Sequence, residues 1–359
     1  MSDTLQALRA RIDALDEKIQ ALVSERAACA QEVAEVKRVS GEHNDCYRAE
    51  REAEVLRKVL ERNHGPLSNE EIARLFREII STCRALEQPL SIAYLGPQGT
   101  YSEAAALKHF GHAVTALPVA NIDDIFRTVE SGTANYGVVP VENSTEGSVS
   151  HTLDMLMVSP LRICGEVELR VHHQLLCKSG TLAGAQRVYA HPQALAQCRV
   201  WLDSHLPGVD LLPVSSNAEG ARRAAQETGA AAIASDLAAS IYQLQTLAMN
   251  IEDESNNTTR FLVLGKQDTM PSGHDKTSLL VSTRNQSGAL HHLLQPLAQH
   301  EISMTRIESR PSRQAAWEYV FFIDIEGHMQ EPAVAAALKE IQSDAALLKV
   351  LGSYPKAVL

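Results

Sequence analysis

The stretch Asn257-Thr258-Thr259-Arg260-Phe261-Leu262-Val263-Leu264 sets a polar run, carrying a hydroxyl and a guanidinium, directly against four apolar residues. A short apolar run bounded by turn-forming residues reads as a strand. A sheet built this way presents a proton donor beside an anion-binding cation. Asn and Thr ahead of a strand also make ordinary turns, so the neighbouring segments decide between the two readings. Residues 91–95, 137–141, 187–190 and 230–234 have the same short apolar character and alternate with helical stretches. With Pro89 as the boundary, this predicts an α/β domain. Its polar loops, 96–102, 142–148 and 215–217, fall at helix starts, where free backbone amides bind carboxylates. Gly96, Pro97, Gln98 and Gly99 lack the spacing of a nucleotide loop, and the histidines show no zincin spacing. No metal and no cofactor is expected.

Upstream, Leu8, Ile12, Leu15, Ile19 and Leu22 step by four and three and continue through Arg26, Ala30 and Val33, which predicts one long helix over 5–38. Residues 41–45 break it, and a second helix is expected over 47–62. Ser68 and Glu71 then form a capping box for a third, striped by Ile72, Leu75, Phe76, Ile79, Ile80 and Cys83. One long helix with two short ones cannot easily bury that stripe in a small chain, so two protomers are expected to pack their long helices together. Charge lies on the buried side. Arg26 is on the stripe, and Lys37 is turned from it by only about 20° at roughly 16 Å of rise, so both can converge on one small dianion. Arg9 is turned about 100° away and would reach only a partner's site. Glu87 follows Cys83 by one turn and borders the apolar face as a candidate functional carboxylate. Arg48 and Glu52 form an i, i+4 pair, which as a surface ion pair would stabilise the helix by about 0.2–0.5 kcal/mol.

Downstream, 266–276 is a polar linker with Pro271 and Gly273. Beyond it the pattern predicts strand 277–283, helix 288–299, strands 302–309 and 318–325, helix 331–342 and strand 347–352, the ferredoxin-like order. The 359 residues, 45% apolar and 21% charged, suit two or three globular domains. A net charge of −11 argues against nucleic-acid binding and leaves small acids as ligands for local Arg clusters. The six cysteines are scattered without the spacing of a zinc site or a disulfide framework. Residues 1–6 lack the regions of a signal peptide, and no apolar run is long enough to span a bilayer. A cytoplasmic setting with no membrane partner is expected.

The first segment resembles the all-helical chorismate mutase domain that begins bifunctional chorismate mutase/prephenate dehydratases, through Leu8, Arg9, Ile12, Leu15, Asp16, Arg26, Lys37, Arg51, Glu52, Leu75 and Phe76. The resemblance implies that Arg26 and a partner protomer's Arg9 hold the two carboxylates of chorismate, with Lys37 at the ether oxygen and Glu52 receiving the ring hydroxyl. Arg48, Cys83 and Glu87 complete the implied site, where relatives carry Asp, Ser and Gln. A Claisen rearrangement needs only a folded conformer and stabilisation of charge growing on the ether oxygen, which suits such a set of groups.

Gly96, Pro97, Gly99, Thr100, Tyr101 and Ser102, then Pro140, Glu142, Asn143, Ser144 and Gly147, then His191, Pro192 and Gln193, and last the run 257–261, resemble four ordered signatures of the prephenate dehydratase domain. The family fold is similar to two-lobed, periplasmic-type solute-binding proteins, with the active site between the lobes. The resemblance implies a prephenate site of Thr100, Ser102, Asn143, Ser144, Gln193, Arg260 and Phe261, with Thr259 donating a hydrogen bond to the departing hydroxyl. Arg260 would hold a substrate carboxylate. From the residues alone it also suits an ion pair internal to the fold.

Gly288, Ala289 and Leu290, with Glu308, Ser309, Arg310 and Pro311, resemble the effector segments of the phenylalanine-binding ACT regulatory domain, with His291 where an apolar residue is common. Without that likeness, Glu308 and Arg310 would read as a surface strand pair. The expected organisation is therefore an all-α mutase domain over 1–89, an α/β two-lobed dehydratase domain over 90–266 and an α+β ferredoxin-like domain over 277–354. The expected enzyme converts chorismate to prephenate and prephenate to phenylpyruvate, under feedback by phenylalanine, as a homodimer or higher oligomer. Two alternatives stand beside it: a dehydratase whose helical segment only dimerises, and a non-catalytic solute-binding protein with a sensor domain.

Overall fold

Helix α1 (Ser2–Ser40) runs 39 residues without interruption, in a computed structural model that describes residues 2–40, 47–179, 181–283, 287–311 and 319–358. The break expected at 41–45 lies outside the described residues. Helix α2 (Ala49–Glu61) follows, and α3 (Asn69–Ala85) starts on the expected capping box: the Ser68 side chain accepts from Glu71 N, and the Glu71 carboxylate accepts from Ser68 N. Tyr47 does not belong to α2 but sits ahead of it at 7% exposure, inserted among Phe110, Ala105 and Ile92 of the next domain. Along α1, Leu8, Ile12, Leu15, Ile19 and Leu22 stay exposed, and partly covered positions begin only at Val23.

The α/β part consists of two sheets. The first contains β1 (Ser91–Leu95), β2 (Thr115–Val119), β3 (Tyr136–Asn143), the short β4 (Gly147–Ser148) and β5 (Arg162–Arg170). Helix α4 (Tyr101–Phe110) connects β1 to β2. The second sheet contains β6 (Gln174–Cys177), β7 (Arg187–Ala190), β8 (Asp210–Pro213), β9 (Ala230–Ala234) and β10 (Gln245–Ala248) in the order β10-β6-β9-β7-β8. The chain then returns as β11 (Thr258–Gly265), which inserts antiparallel between β3 and β5 to give the order β2-β1-β3-β11-β5. Each sheet carries its own apolar core, so two chain crossings join two lobes and leave a cleft between them.

The last unit, β12 (Asp275–Ser282), β13 (Met304–Pro311), β14 (Tyr319–Glu326) and β15 (Leu347–Pro355) with helices Ala289–Gln299 and Pro332–Asp344, has the ferredoxin-like order and a sheet ordered β13-β14-β12-β15. It docks on the first lobe through β15. A Cβ on Gly352 would fall 2.2 Å from the Ile163 carbonyl oxygen, so only glycine allows β15 to lie this close to β5. The Lys349 ammonium completes the seam, donating to the carbonyls of Leu156, Met157 and Ser159 at 3.0, 3.3 and 2.6 Å.

Candidate active sites

The interlobe cleft is built around a register. Pairing of β11 with β3 sets Thr259 opposite Asn143. Asn143 Nδ2 donates to Thr259 Oγ1 and to Asn257 Oδ1, each at 2.8 Å. Its Oδ1 accepts from Thr145 Oγ1 at 2.6 Å and from the amides of Thr145 and Glu146 at 3.1 and 3.2 Å. Those donors fix which end of the amide faces Thr259. Because the Thr259 oxygen already accepts from Asn143, its own proton is the one it offers to a ligand in the cleft. Asn257 Nδ2 continues the chain to Gln197 Oε1 at 3.1 Å, which also lies 2.9 Å from His173 Nε2. Burial pushes the His173 imidazole below its ordinary range, against the raising hydrogen bond to Gln197, and its Nδ1 lies 3.0 Å from the Tyr101 hydroxyl.

The cleft, about 960 Å³, is lined by Thr100, Ser102, Asn143, Gln193 and Thr259 of the expected set, joined by Gln197, His173 and Asn257. Three helix caps also face it: Thr100 ahead of α4, His191 ahead of Pro192–Gln197 and Ser216 ahead of Asn217–Ala224. Sequence reasoning missed Gln197 and His173, which lie outside the four signatures. It also missed Arg222, the guanidinium among the described lining residues, which Glu219 engages through two bonds of 2.8 Å.

Three expectations need correction here. Arg260 lies outside the cleft lining: its Nη2 donates to Asp324 Oδ2 at 2.6 Å and its Nε is 3.7 Å from Glu166, on the side where β12 and β14 dock. Neighbouring residues of a strand point to opposite faces, so a cleft-facing Thr259 sends Arg260 the other way. Phe261 follows an irregularity in the β3 pairing and is 2% exposed in the apolar core, where it touches no cleft. Ser144 stays on the outer side of its loop, bonding Asn256 O at 3.2 Å and accepting from Thr258 N at 3.0 Å. Thr100 does line the cleft, but its hydroxyl is committed, donating to Leu95 O at 2.8 Å and accepting from Glu103 N at 3.4 Å.

The second site lies among the helices. Arg26, Lys37, Arg48, Glu52, Cys83 and Glu87 all line one cavity of about 430 Å³ between α1, α2 and α3, with Arg51 and Arg84 added to them. Lys37 Nζ lies 3.2 Å from Glu87 Oε1. Glu52 pairs with Arg84 at 2.9 Å, and both are buried, so the expected reading of Glu52 as half of a surface pair gives way to a buried one. Arg9 does not line this cavity; it lies about 25 Å up α1 from Arg26, on an exposed face.

Family models match the chain in order: chorismate mutase type II over residues 8–88, prephenate dehydratase over 92–269 and an ACT domain over 277–342. A bifunctional chorismate mutase/prephenate dehydratase of Stutzerimonas stutzeri is 58% identical over 362 aligned residues, covering 100% of this chain and 99% of the relative. The chain belongs to the bifunctional chorismate mutase/prephenate dehydratase family. Among solved structures, a prephenate dehydratase from Arthrobacter aurescens in complex with L-Phe is 36% identical with a TM-score of 0.68, covering 74% of this chain and 90% of that one. A protein described as a novel type of quorum quenching acylase is 33% identical with a TM-score of 0.69, covering 75% of this chain and 98% of that one. The same fold thus carries more than one named activity, and the argument for function rests on the sites.

In this member of the family the segments expected to bind an effector take definite places. Gly288 caps the helix Ala289–Gln299, and Glu308, Ser309, Arg310 and Pro311 lie on the edge strand β13. The alternative reading of Glu308 and Arg310 as a surface strand pair gives way: Arg310 Nη2 donates to Asp154 of the dehydratase domain at 2.8 Å. Four positions earlier on the same strand, Arg306 reaches Glu142 at 2.9 Å and Ser148 Oγ at 2.8 Å. Glu142 adjoins Asn143, so β13 touches the loop that orients Thr259.

Proposed function

We propose that the chain rearranges chorismate to prephenate in the helical cavity and converts prephenate to phenylpyruvate in the interlobe cleft. One observation carries the reading: the cavity gathers cations and the cleft a neutral hydroxyl, as the two half-reactions demand. Arg26 and Lys37 supply charge for a dicarboxylate and its ether oxygen, Glu52 supplies an acceptor for the ring hydroxyl, and Glu87 accepts from Lys37 at 3.2 Å beside it. Cys83 and Arg48 shape the wall. In the cleft, the electron pair of the departing C–C bond enters the ring as carbon dioxide leaves, and the ring C–O bond breaks with its pair on oxygen. A hydrogen bond from Thr259 stabilises charge on that oxygen, which takes a solvent proton and leaves as water. Asn143 and Gln193 orient the ring, Ser102 adds a polar wall, and the amides at the helix caps serve the carboxylate that is retained.

Two further parts of the proposal concern assembly and control. The exposed Leu8, Ile12, Leu15, Ile19 and Leu22 fit burial against α1 of a second copy, which would also bring Arg9 to the partner's cavity. Scattered cysteines, unpaired among the described residues, suit a reducing cytoplasm. Phenylalanine is proposed as the effector at Gly288, Ala289, Leu290 and Glu308 to Pro311. Arg306→Gln is then expected to leave uninhibited dehydratase turnover within about three-fold of wild type and to raise the phenylalanine needed for half inhibition by about ten-fold, the size of a typical coupling energy. An inhibition curve overlying wild type would exclude this route.

The whole reading is tested by giving the purified protein chorismate alone and following prephenate and phenylpyruvate in time, with and without phenylalanine. Phenylpyruvate formation suppressed by phenylalanine is expected. Conversion of added prephenate with chorismate untouched would leave the helices as a dimerisation element only.

A further inference from the structure

Arg84 carries no assigned part in either reaction, yet it is where the two catalytic units of this chain meet. It lies on α3 at 7% exposure, and its two terminal nitrogens serve different domains. Nη1 donates to Glu52 Oε2 in the mutase cavity at 2.9 Å, and Nη2 donates at 2.8 Å to the carbonyl of Phe110, the last residue of α4 in the dehydratase domain. The Tyr47 ring lies 5.1 Å from the guanidinium carbon, and the Tyr47 hydroxyl sits 2.7 Å from His109 Nε2, again on α4. Gly111 ends α4 with φ +75°, and a Cβ there would fall 2.5 Å from Ser81 Cβ on α3, so glycine is what lets the two helices close on each other.

Glu52 is only 9% exposed. Burial raises its carboxyl above the ordinary range, while Arg84, Arg77 and Arg26 pull it down. A carboxylate accepts a ring hydroxyl well only while ionised. Arg84 occupies Oε2, and Oε1 accepts no hydrogen bond from the described residues. Resting on the reading of Glu52 as acceptor for the chorismate ring hydroxyl, we infer that Arg84 is the positioning residue of the mutase site. It holds Glu52 ionised and in place, and is itself held by the Phe110 carbonyl, so the mutase site is complete only when α4 packs on α3. The charged and titratable groups around Glu52 come from every neighbouring element: Arg26 and Lys37 of α1, Arg48 ahead of α2 and Arg51 on it, Arg77 and Arg84 of α3 with Glu87 beyond it, Tyr47, and Lys108 and His109 of α4. Glu166 of β5 and Lys356 beyond β15 lie on the small cavity behind. Burial pushes His109 down to about 3, so it adds no charge near neutrality.

The test uses the full chain with Arg84→Met, Arg84→Lys and Glu52→Gln, measuring chorismate kinetics across pH and turnover of added prephenate. Arg84→Met is expected to raise KM for chorismate by about ten-fold or more, the range for losing a hydrogen bond to a charged partner. Its mutase kcat/KM should rise with pH over a higher range than in wild type, because Glu52 then ionises without its cation. Arg84→Lys should recover part of the KM, Glu52→Gln should bind chorismate weakly with no such pH dependence, and prephenate turnover should stay at the wild-type rate in all three. Wild-type KM and pH profile in Arg84→Met, beside a defect in Glu52→Gln, would overturn the role of Arg84 and leave that of Glu52. A wild-type KM in Glu52→Gln would remove both. Equal loss of both activities in Arg84→Met, unrecovered by Lys, would make Arg84 a support of the fold alone and overturn the inference.

Discussion

Thr259→Ala is expected to lower prephenate turnover by about 10²–10⁴-fold, the contribution of a positioned proton donor, while chorismate turnover stays at the wild-type rate. The expectation follows from the direction of the hydrogen bonds. Asn143 Nδ2 donates to Thr259 Oγ1, and Thr145 and Glu146 prevent the amide from turning its oxygen there instead. The hydroxyl proton is therefore presented to the cleft. Among the described residues that line the cleft no carboxyl group joins it, and burial lowers the His173 imidazole toward its neutral form. Removal of the hydroxyl should appear in kcat more than in KM, since the hydrogen bond strengthens as charge builds on the departing oxygen. Thr259→Ser should retain a measurable part of the rate. The measurement is steady-state kinetics on each substrate separately. An Ala variant with unchanged kcat would remove Thr259 from the reaction, and an equal fall in both activities would mean that the substitution damages the fold.

The long helix, the capping box at Ser68 and the strands at 91–95, 187–190 and 230–234 were legible in the sequence because local periodicity and punctuation suffice to define them. The strands missed are β2, the two-residue β4, β5, β6, β8 and β10, and apart from β4 they depend on partners far along the chain. β8, for example, is only the four residues Asp210–Pro213, two leucines between an aspartate and a proline with no alternation, and its parallel pairing with β7 is what makes it a strand. In the helical cavity the spacing argument found Arg26 and Lys37 because one face of α1 decides which side chains share a site, and Glu87 because it follows Cys83 by one turn. It could not find Arg84, whose importance comes from Phe110 in another domain. In the cleft, Gln197 was invisible for the same reason. The placement of Arg260 is legible in the sequence, since strand alternation already separates it from Thr259.

That separation gives Arg260 a different expected phenotype from Thr259. Arg260 Nη2 bonds Asp324 Oδ2 at 2.6 Å, while Lys276 bonds both oxygens of Glu166 at 2.8 Å. Asp324 is 4% exposed and Glu166 also 4%, and Ser278 donates to the other oxygen of Asp324 at 2.6 Å. The group joins the dehydratase domain to the regulatory domain through charges that water hardly reaches. Arg260→Met would strand the Asp324 carboxylate, and breaking a buried pair from one side costs about 3–5 kcal/mol. A fall in stability of that size is expected in chemical unfolding, together with loss of phenylalanine control as the two domains loosen. Adding Asp324→Leu removes the stranded charge, and replacing both partners with apolar groups is close to neutral in many buried pairs, so Arg260→Met/Asp324→Leu should recover most of the lost stability. The double variant also separates the two readings of Arg260. If the guanidinium held a substrate carboxylate, KM for prephenate would stay raised many-fold in both variants however stable the second became. With Arg260 as an internal ion pair, KM returns toward wild type when stability does, and Arg260 reaches the chemistry only through the strand that fixes Thr259.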